Sequence, residues 1–196
     1  MALADTRFEN HRRKLSTMLA ERRIDDMLVT HLTHVRYLSG FSGSNGAMLV
    51  SKDRTAAIAT DGRYTTQIAE EVPDIQAVIE RNVGVAMLSK AAEGHRVGFE
   101  ADYVSVAQLD KLREACPDGV TLVPVSGVIE DIRLVKDEVE LTRLREAAEI
   151  TVQALDELLR VEELRAGRTE REVADDLTRL VLEEHERVAF VIVGSG

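Results

Sequence analysis

Six short apolar runs, at residues 27–30, 47–51, 55–60, 75–79, 96–100 and 120–124, alternate with stretches of helical periodicity at 6–23, 62–70, 83–92 and 105–115. That alternation restricts the first two-thirds of the chain to an α/β sheet with helices on its faces, rather than a sandwich or a bundle. Runs 47–51 and 55–60 are separated by little more than Lys52-Asp53-Arg54, too short for a crossover. They must form an antiparallel hairpin, so the sheet is predicted to be mixed.

After Pro124 and Gly127 the pattern changes. Leu141, Leu144, Ala148, Val152, Leu155 and Leu159 recur at helical spacing within 137–164 and predict one long helix. Thr169 with Glu172 is a capping box opening a second helix, whose stripe is Val173, Leu177, Leu180 and Val181. Residues 189–193 read as a strand. The predicted organisation is a domain over 1–126, a linker over 127–136 and a second domain over 137–196. Two helices and one strand cannot close a sheet-based core, so the second domain reads as incomplete at Gly194-Ser195-Gly196. Its uncovered apolar faces are expected to drive association.

Acidic residues outnumber basic ones 35 to 25, giving a formal charge of −10 and no overall basic field for nucleic acid. Arg12-Arg13-Lys14 and Arg22-Arg23 lie on one amphipathic helix without an aromatic platform, and read as a solvated face. Residues 1–10 hold no apolar signal core, and no run approaches the roughly 18 apolar residues that span a bilayer, so a soluble cytoplasmic chain is expected. Cys116 is the one cysteine, which excludes a disulfide within the chain and a cysteine-rich metal site. Before Pro117, with no activating base nearby in sequence, it reads as a packed thiol.

The remaining chemistry-bearing residues do not assemble into a catalytic set. His31 and His34 have the spacing of two ligands on one helical turn, but no His-Glu-x-x-His pattern or cysteine accompanies them, and they read as structural. Gly40, Gly43 and Gly46 match neither the dinucleotide fingerprint nor the phosphate loop, and Ser42 and Ser44 lack the closing glycine of a nucleophile elbow. A tight loop is expected instead, with Asn45-Gly46 supplying positive φ ahead of the strand at 47–51. Asp175-Asp176 and Glu183-Glu184 read as a solvated helix face.

Four blocks stand out together: Val35-Arg36-Tyr37-Leu38-Ser39-Gly40-Phe41-Ser42-Gly43-Ser44-Asn45-Gly46; Ala59-Thr60-Asp61-Gly62-Arg63-Tyr64; Ile132-Arg133-Leu134-Val135-Lys136-Asp137-Glu138-Val139-Glu140-Leu141; and Gly167-Arg168-Thr169-Glu170 through Glu172-Val173-Ala174 to Phe190-Val191-Ile192-Val193-Gly194-Ser195-Gly196. In this order they resemble the creatinase/prolidase-like, or pita-bread, metallopeptidases, which include Xaa-Pro aminopeptidase and prolidase. The resemblance implies a mixed-sheet creatinase-type amino-terminal domain followed by an incomplete pita-bread α+β catalytic domain. It implies a homo-oligomer acting on short peptides with proline at the second position, a bond whose imino nitrogen carries no N–H. It also implies two divalent metals, often manganese, whose bridging hydroxide attacks the scissile carbonyl. In the family those ligands lie beyond the block ending here at Gly196, so none is expected in this chain. A free-standing interaction module, the prolidase branch, or the metal-free creatinase branch are alternatives on the same fold; the Thr60–Tyr64 block looks more like the peptidases.

Two residues are candidate substrate contacts. Asp61-Gly62 turns the chain out of the strand at the sheet edge and leaves Arg63 and Tyr64 at the start of a helix. By resemblance this is near the active-site mouth, within reach of substrate bound to the same or a neighbouring subunit. Arg63 offers a planar fork of donors for a peptide carboxylate or carbonyl. The other reading makes Arg63 a local fastener to Asp61 and Tyr64 a core residue.

Overall fold

The computed structural model describes residues 6–160 and 164–194. The chain divides into two compact units, Met1–Leu134 and Val135–Gly196.

The first unit is built on one six-stranded sheet: β1 (Asp26–Val29), β2 (Gly46–Ser51), β3 (Ala56–Thr60), β4 (Ala77–Ile79), β5 (Arg96–Glu100) and β6 (Thr121–Val125). Its spatial order is β4-β3-β2-β1-β5-β6. β2 runs antiparallel to both β1 and β3, while the β3–β4, β1–β5 and β5–β6 pairs are parallel, so the sheet is mixed. The β2–β3 hairpin turns through Arg54, which takes the left-handed conformation at φ 67°.

Side chains alternate between two cores. Met27, Val29, Met48, Val50 and Ile58 point to one face, where Leu15 and Leu19 of α1 (Arg7–Glu21), Val35 and Leu38 of α2 (Leu32–Ser39), Ile68 of α3 (Thr65–Glu71) and Ile129 of α6 (Val128–Leu134) cover them. Leu28, Ala47, Leu49 and Ala59 point to the other face. There they meet Met87 and Leu88 of α4 (Val83–Leu88) and Leu112 of α5 (Val106–Glu114). Burial on both faces is why the strands read as unbroken apolar runs. Ser105 opens α5 with a capping box to Gln108.

Two helices of this unit are missing from the sequence reading. α2 occupies residues that the motif reading assigned to a loop, and it ends at Gly40, in the left-handed conformation at φ 86°. Only three apolar residues of this eight-residue helix, at 32, 35 and 38, mark its buried side, too short a pattern to register as a period. α6 lies within the stretch expected as a linker and buries Val128, Ile129 and Ile132. The expected positive φ at Asn45-Gly46 is not found: Gly40 carries it. Gly43 and Gly46 are instead required by contact, because a Cβ on them would stand 2.3 and 3.1 Å from the Phe41 ring.

The second unit is a helix pair, α7 (Glu138–Arg160) and α8 (Glu170–Leu182), packed through Ala154, Leu158, Val173 and Val181. Asp137 and Glu140 exchange backbone-to-carboxylate hydrogen bonds of 2.8 and 2.9 Å at the start of α7. The predicted Thr169–Glu172 capping box opens α8. The expected continuation of α7 to Leu164 runs through residues 161–163, which lie outside the described residues, as do Ser195 and Gly196. The strand expected at 189–193 does not form; this stretch is irregular, with Phe190 and Ile192 exposed. Strand pairing needs a neighbouring ladder, and this unit holds no other described strand.

Candidate functional site

The pairing of Gly46 with Thr60 brings the loop before β2 and the turn after β3 side by side at one end of the sheet. Thr60 donates its hydroxyl to the Asn45 carbonyl at 2.7 Å, which locks the two segments together. The turn itself is a single 3₁₀ turn, Gly62–Tyr64, capped by Asp61, whose carboxylate accepts from the Arg63 amide at 3.1 Å.

Asp61 is the hub of the site. It accepts from Arg63 Nε at 2.9 Å and Nη2 at 2.8 Å, and from Asn45 Nδ2 at 2.7 Å. These donors, Arg63 first, hold its carboxyl well below the usual carboxylate range. Arg63 is thus oriented through two of its five N–H groups, while its side chain remains 67% exposed. Its guanidinium sits 5.1 Å from the centre of the Tyr64 ring. Tyr64 is half-buried, edge-on to Phe41 at 5.7 Å, and its hydroxyl lies 2.6 Å from Ser44 Oγ, which lowers the phenol from its ordinary value. Both features of the fastener reading are therefore present, the Asp61 pair and the packed ring, together with a guanidinium face left open to solvent.

The loop carrying Ser44 and Asn45 is held by Glu71 of α3. Glu71 accepts from Ser42 N at 2.7 Å, Ser42 Oγ at 2.6 Å and Gln67 Nε2 at 3.0 Å. Burial pushes the Glu71 carboxyl up, but these hydrogen bonds outweigh it and leave the group below its ordinary value. Asn45, Ser44 and Glu71 escaped the sequence reading because their partners are 16, 20 and 29 residues away.

The histidines take structural posts. His34 Nδ1 donates to Glu100 Oε1 at 2.7 Å, and Glu100 Oε2 accepts from the amides of Thr30 at 2.6 Å and His31 at 2.8 Å, so β5 ties down the segment that enters α2. His95 bonds Asp26 at 2.6 Å, and His11 stacks on Tyr37 with ring centres 3.9 Å apart. Within either unit taken by itself, no three His, Cys, Asp or Glu side chains of the described residues converge as a metal site. Cys116 is a free, half-buried thiol whose pKa is pushed up by burial. No helix among the described residues is long and apolar enough to cross a membrane.

Residues 11–135 match the family model described as the creatinase/prolidase N-terminal domain. An uncharacterized peptidase of Bacillus subtilis, YqhT, is 32% identical over 84% of this chain and 46% of its own length. The N-terminal, creatinase/prolidase-like domain of a protein described as a metallopeptidase from Corynebacterium diphtheriae is 58% identical. It covers 62% of this chain and 98% of that one, with a TM-score of 0.61. The Xaa-Pro dipeptidase of Bacillus anthracis is 26% identical and covers 90% of this chain and 49% of its own, at a TM-score of 0.79. The chain spans about half the length of such full-length relatives. With a family model matched over residues 11–135, well over half of its length, the chain belongs to the creatinase/prolidase N-terminal domain family.

Proposed function

We propose that this chain is the front part of a cytoplasmic, homo-oligomeric metallopeptidase of the Xaa-Pro aminopeptidase type, and that its first unit shapes access of peptides to the catalytic centre. Relatives named as peptidases, among them an Xaa-Pro dipeptidase, support the reaction class. The substrate is a short peptide with proline at the second position. The metal pair, manganese in this reading, belongs to residues other than those described.

The observation that carries the site assignment is the Asp61–Arg63 pair beside an open cleft. Asp61 spends its carboxylate on fixing the arginine plane, and Asn45 fixes Asp61. A guanidinium so fixed loses little freedom when its remaining N–H groups meet a peptide carbonyl or carboxylate. Tyr64 supports the plane from below and anchors to Ser44.

The test is steady-state kinetics of Arg63→Lys and Arg63→Ala in the full-length enzyme with an Xaa-Pro peptide, recording thermal stability for each. Both variants should lose at least about tenfold in kcat/KM, well beyond what the small loss of melting temperature from the broken Asp61 pair accounts for, because lysine cannot reproduce the fork. Full activity in both, or loss only in step with stability, would return Arg63 to the fold.

A further inference from the structure

β1 and β5 are parallel neighbours whose outgoing connections diverge. The chain leaving β1 enters α2 on one face of the sheet, and the chain leaving β5 enters α5 on the other. Such a divergence opens a crevice at the carboxyl ends of the strands, the place where open α/β sheets receive ligands. Here the crevice is a cavity of about 480 Å³, within the range of small-molecule sites.

Its lining has a definite chemistry. Leu32, Val85, Val104 and Leu112 make an apolar wall, while Arg81 and Lys111 are its charged residues. No aspartate or glutamate lines it, although acids outnumber bases in the chain by ten, 35 against 25. Elsewhere in this unit the cations Arg12, Lys52 and Arg63 are tied to carboxylates. Arg81 and Lys111 form no ion pair among the described residues, so their charge is available to a ligand. The adjoining cleft around Arg63 shares Asn45, Arg81 and Asn82 with this one, but there Asp61 and Glu80 stand against Arg63 and Arg81, whereas Lys111 belongs to the crevice.

We propose that this crevice is a second ligand site, adjoining the Asp61–Arg63 pair and sharing Arg81 with its cleft, for a small carboxylate with an apolar body. The carboxylate lies against Arg81 and Lys111, and the body rests on the wall of Leu32, Val104 and Leu112. Charge-assisted hydrogen bonds from guanidinium and ammonium supply orientation, and apolar burial supplies the remainder of the affinity. A free oxyanion such as phosphate shares the first interaction and lacks the second.

Amide chemical-shift titration of the 196-residue chain with acetyl-leucine, acetyl-leucine amide and inorganic phosphate separates these cases. Acetyl-leucine should shift the amides of Gly84, Val85, Gln108 and Leu112 saturably, with the uncharged amide binding about tenfold more weakly. Arg81→Gln and Lys111→Gln, both exposed changes, should each weaken acetyl-leucine by a similar factor without altering the melting temperature. Equal binding of acid and amide overturns the proposal, as does affinity unaffected by the double variant. So does phosphate binding without acetyl-leucine, or no saturable shift with either.

Discussion

Asp61 illustrates how one carboxylate organises a surface turn. Its ionised form is favoured by Arg63, Asn45 and the turn amide, so its pKa is depressed on folding. A depressed acid contributes stability that is present above its unfolded value of about 3.9 and lost as pH falls through the folded one. Asp61→Asn should therefore lower the melting temperature at neutral pH, and the gap to the parent protein should close as pH is taken below about 4. A gap that persists unchanged in strong acid would mean that shape, not charge, makes the turn. Gly43 shows a constraint of another kind. Its φ is ordinary, and what forbids a side chain is the ring of Phe41, itself 1% exposed and unable to move aside. Gly43→Ala should cost about 1–3 kcal/mol in denaturant unfolding, the range of overpacked cores. Neutral behaviour would show the Phe41 ring to be free to shift.

At the scale of elements, the short helix α2 owes its place to β5 more than to its own residues. Its first turn carries no acidic residue and its N-cap His31 makes no side-chain cap, while the two amides that lead into it, of Thr30 and His31, are held by Glu100, 69 residues from His31. Glu100 also holds the buried ring of His34. Glu100→Ala would leave the amides of Thr30 and His31 and the ring nitrogen of His34 without that acceptor. A loss on the order of 3 kcal/mol in chemical denaturation is expected, since each buried donor left unpaired costs about 1–3 kcal/mol and water recovers part of it. A loss below about 1 kcal/mol, the size of an ordinary exposed cap, would show that water replaces the carboxylate fully. Because α2 leads into the loop bearing Ser44 and Asn45, the same change should also loosen the Arg63 cleft.

At the scale of the whole molecule, the two units differ in how completely they bury their apolar side chains. The sheet unit has cores on both faces. The helix unit leaves Leu144, Val152, Leu155, Leu159, Phe190 and Ile192 exposed. Exposed apolar groups on this scale favour association, so the sedimentation coefficient of the 196-residue chain should rise with concentration. Leu155→Glu with Leu159→Glu on α7 should suppress that rise; a parent chain that stays monomeric at all concentrations would contradict the expectation.

Much of this architecture was legible from the residues alone, for a local reason. The six strand runs of the first unit, the short hairpin connection and the Thr169–Glu172 cap are decided by neighbours a few positions apart, and each occurs within a residue or two of where its pattern stands. Arg63 and Tyr64 were legible as a pair at a turn for the same reason. Tertiary structure decided what depends on distant partners: that Glu100 anchors the entry to α2, that the Phe41 ring accounts for Gly43 and Gly46, and that Asn45 steadies Asp61. It also decided that residues 189–193, apolar enough for a strand, remain irregular, because a strand is stabilised by the ladder of a neighbour and no periodicity in one segment can supply the other.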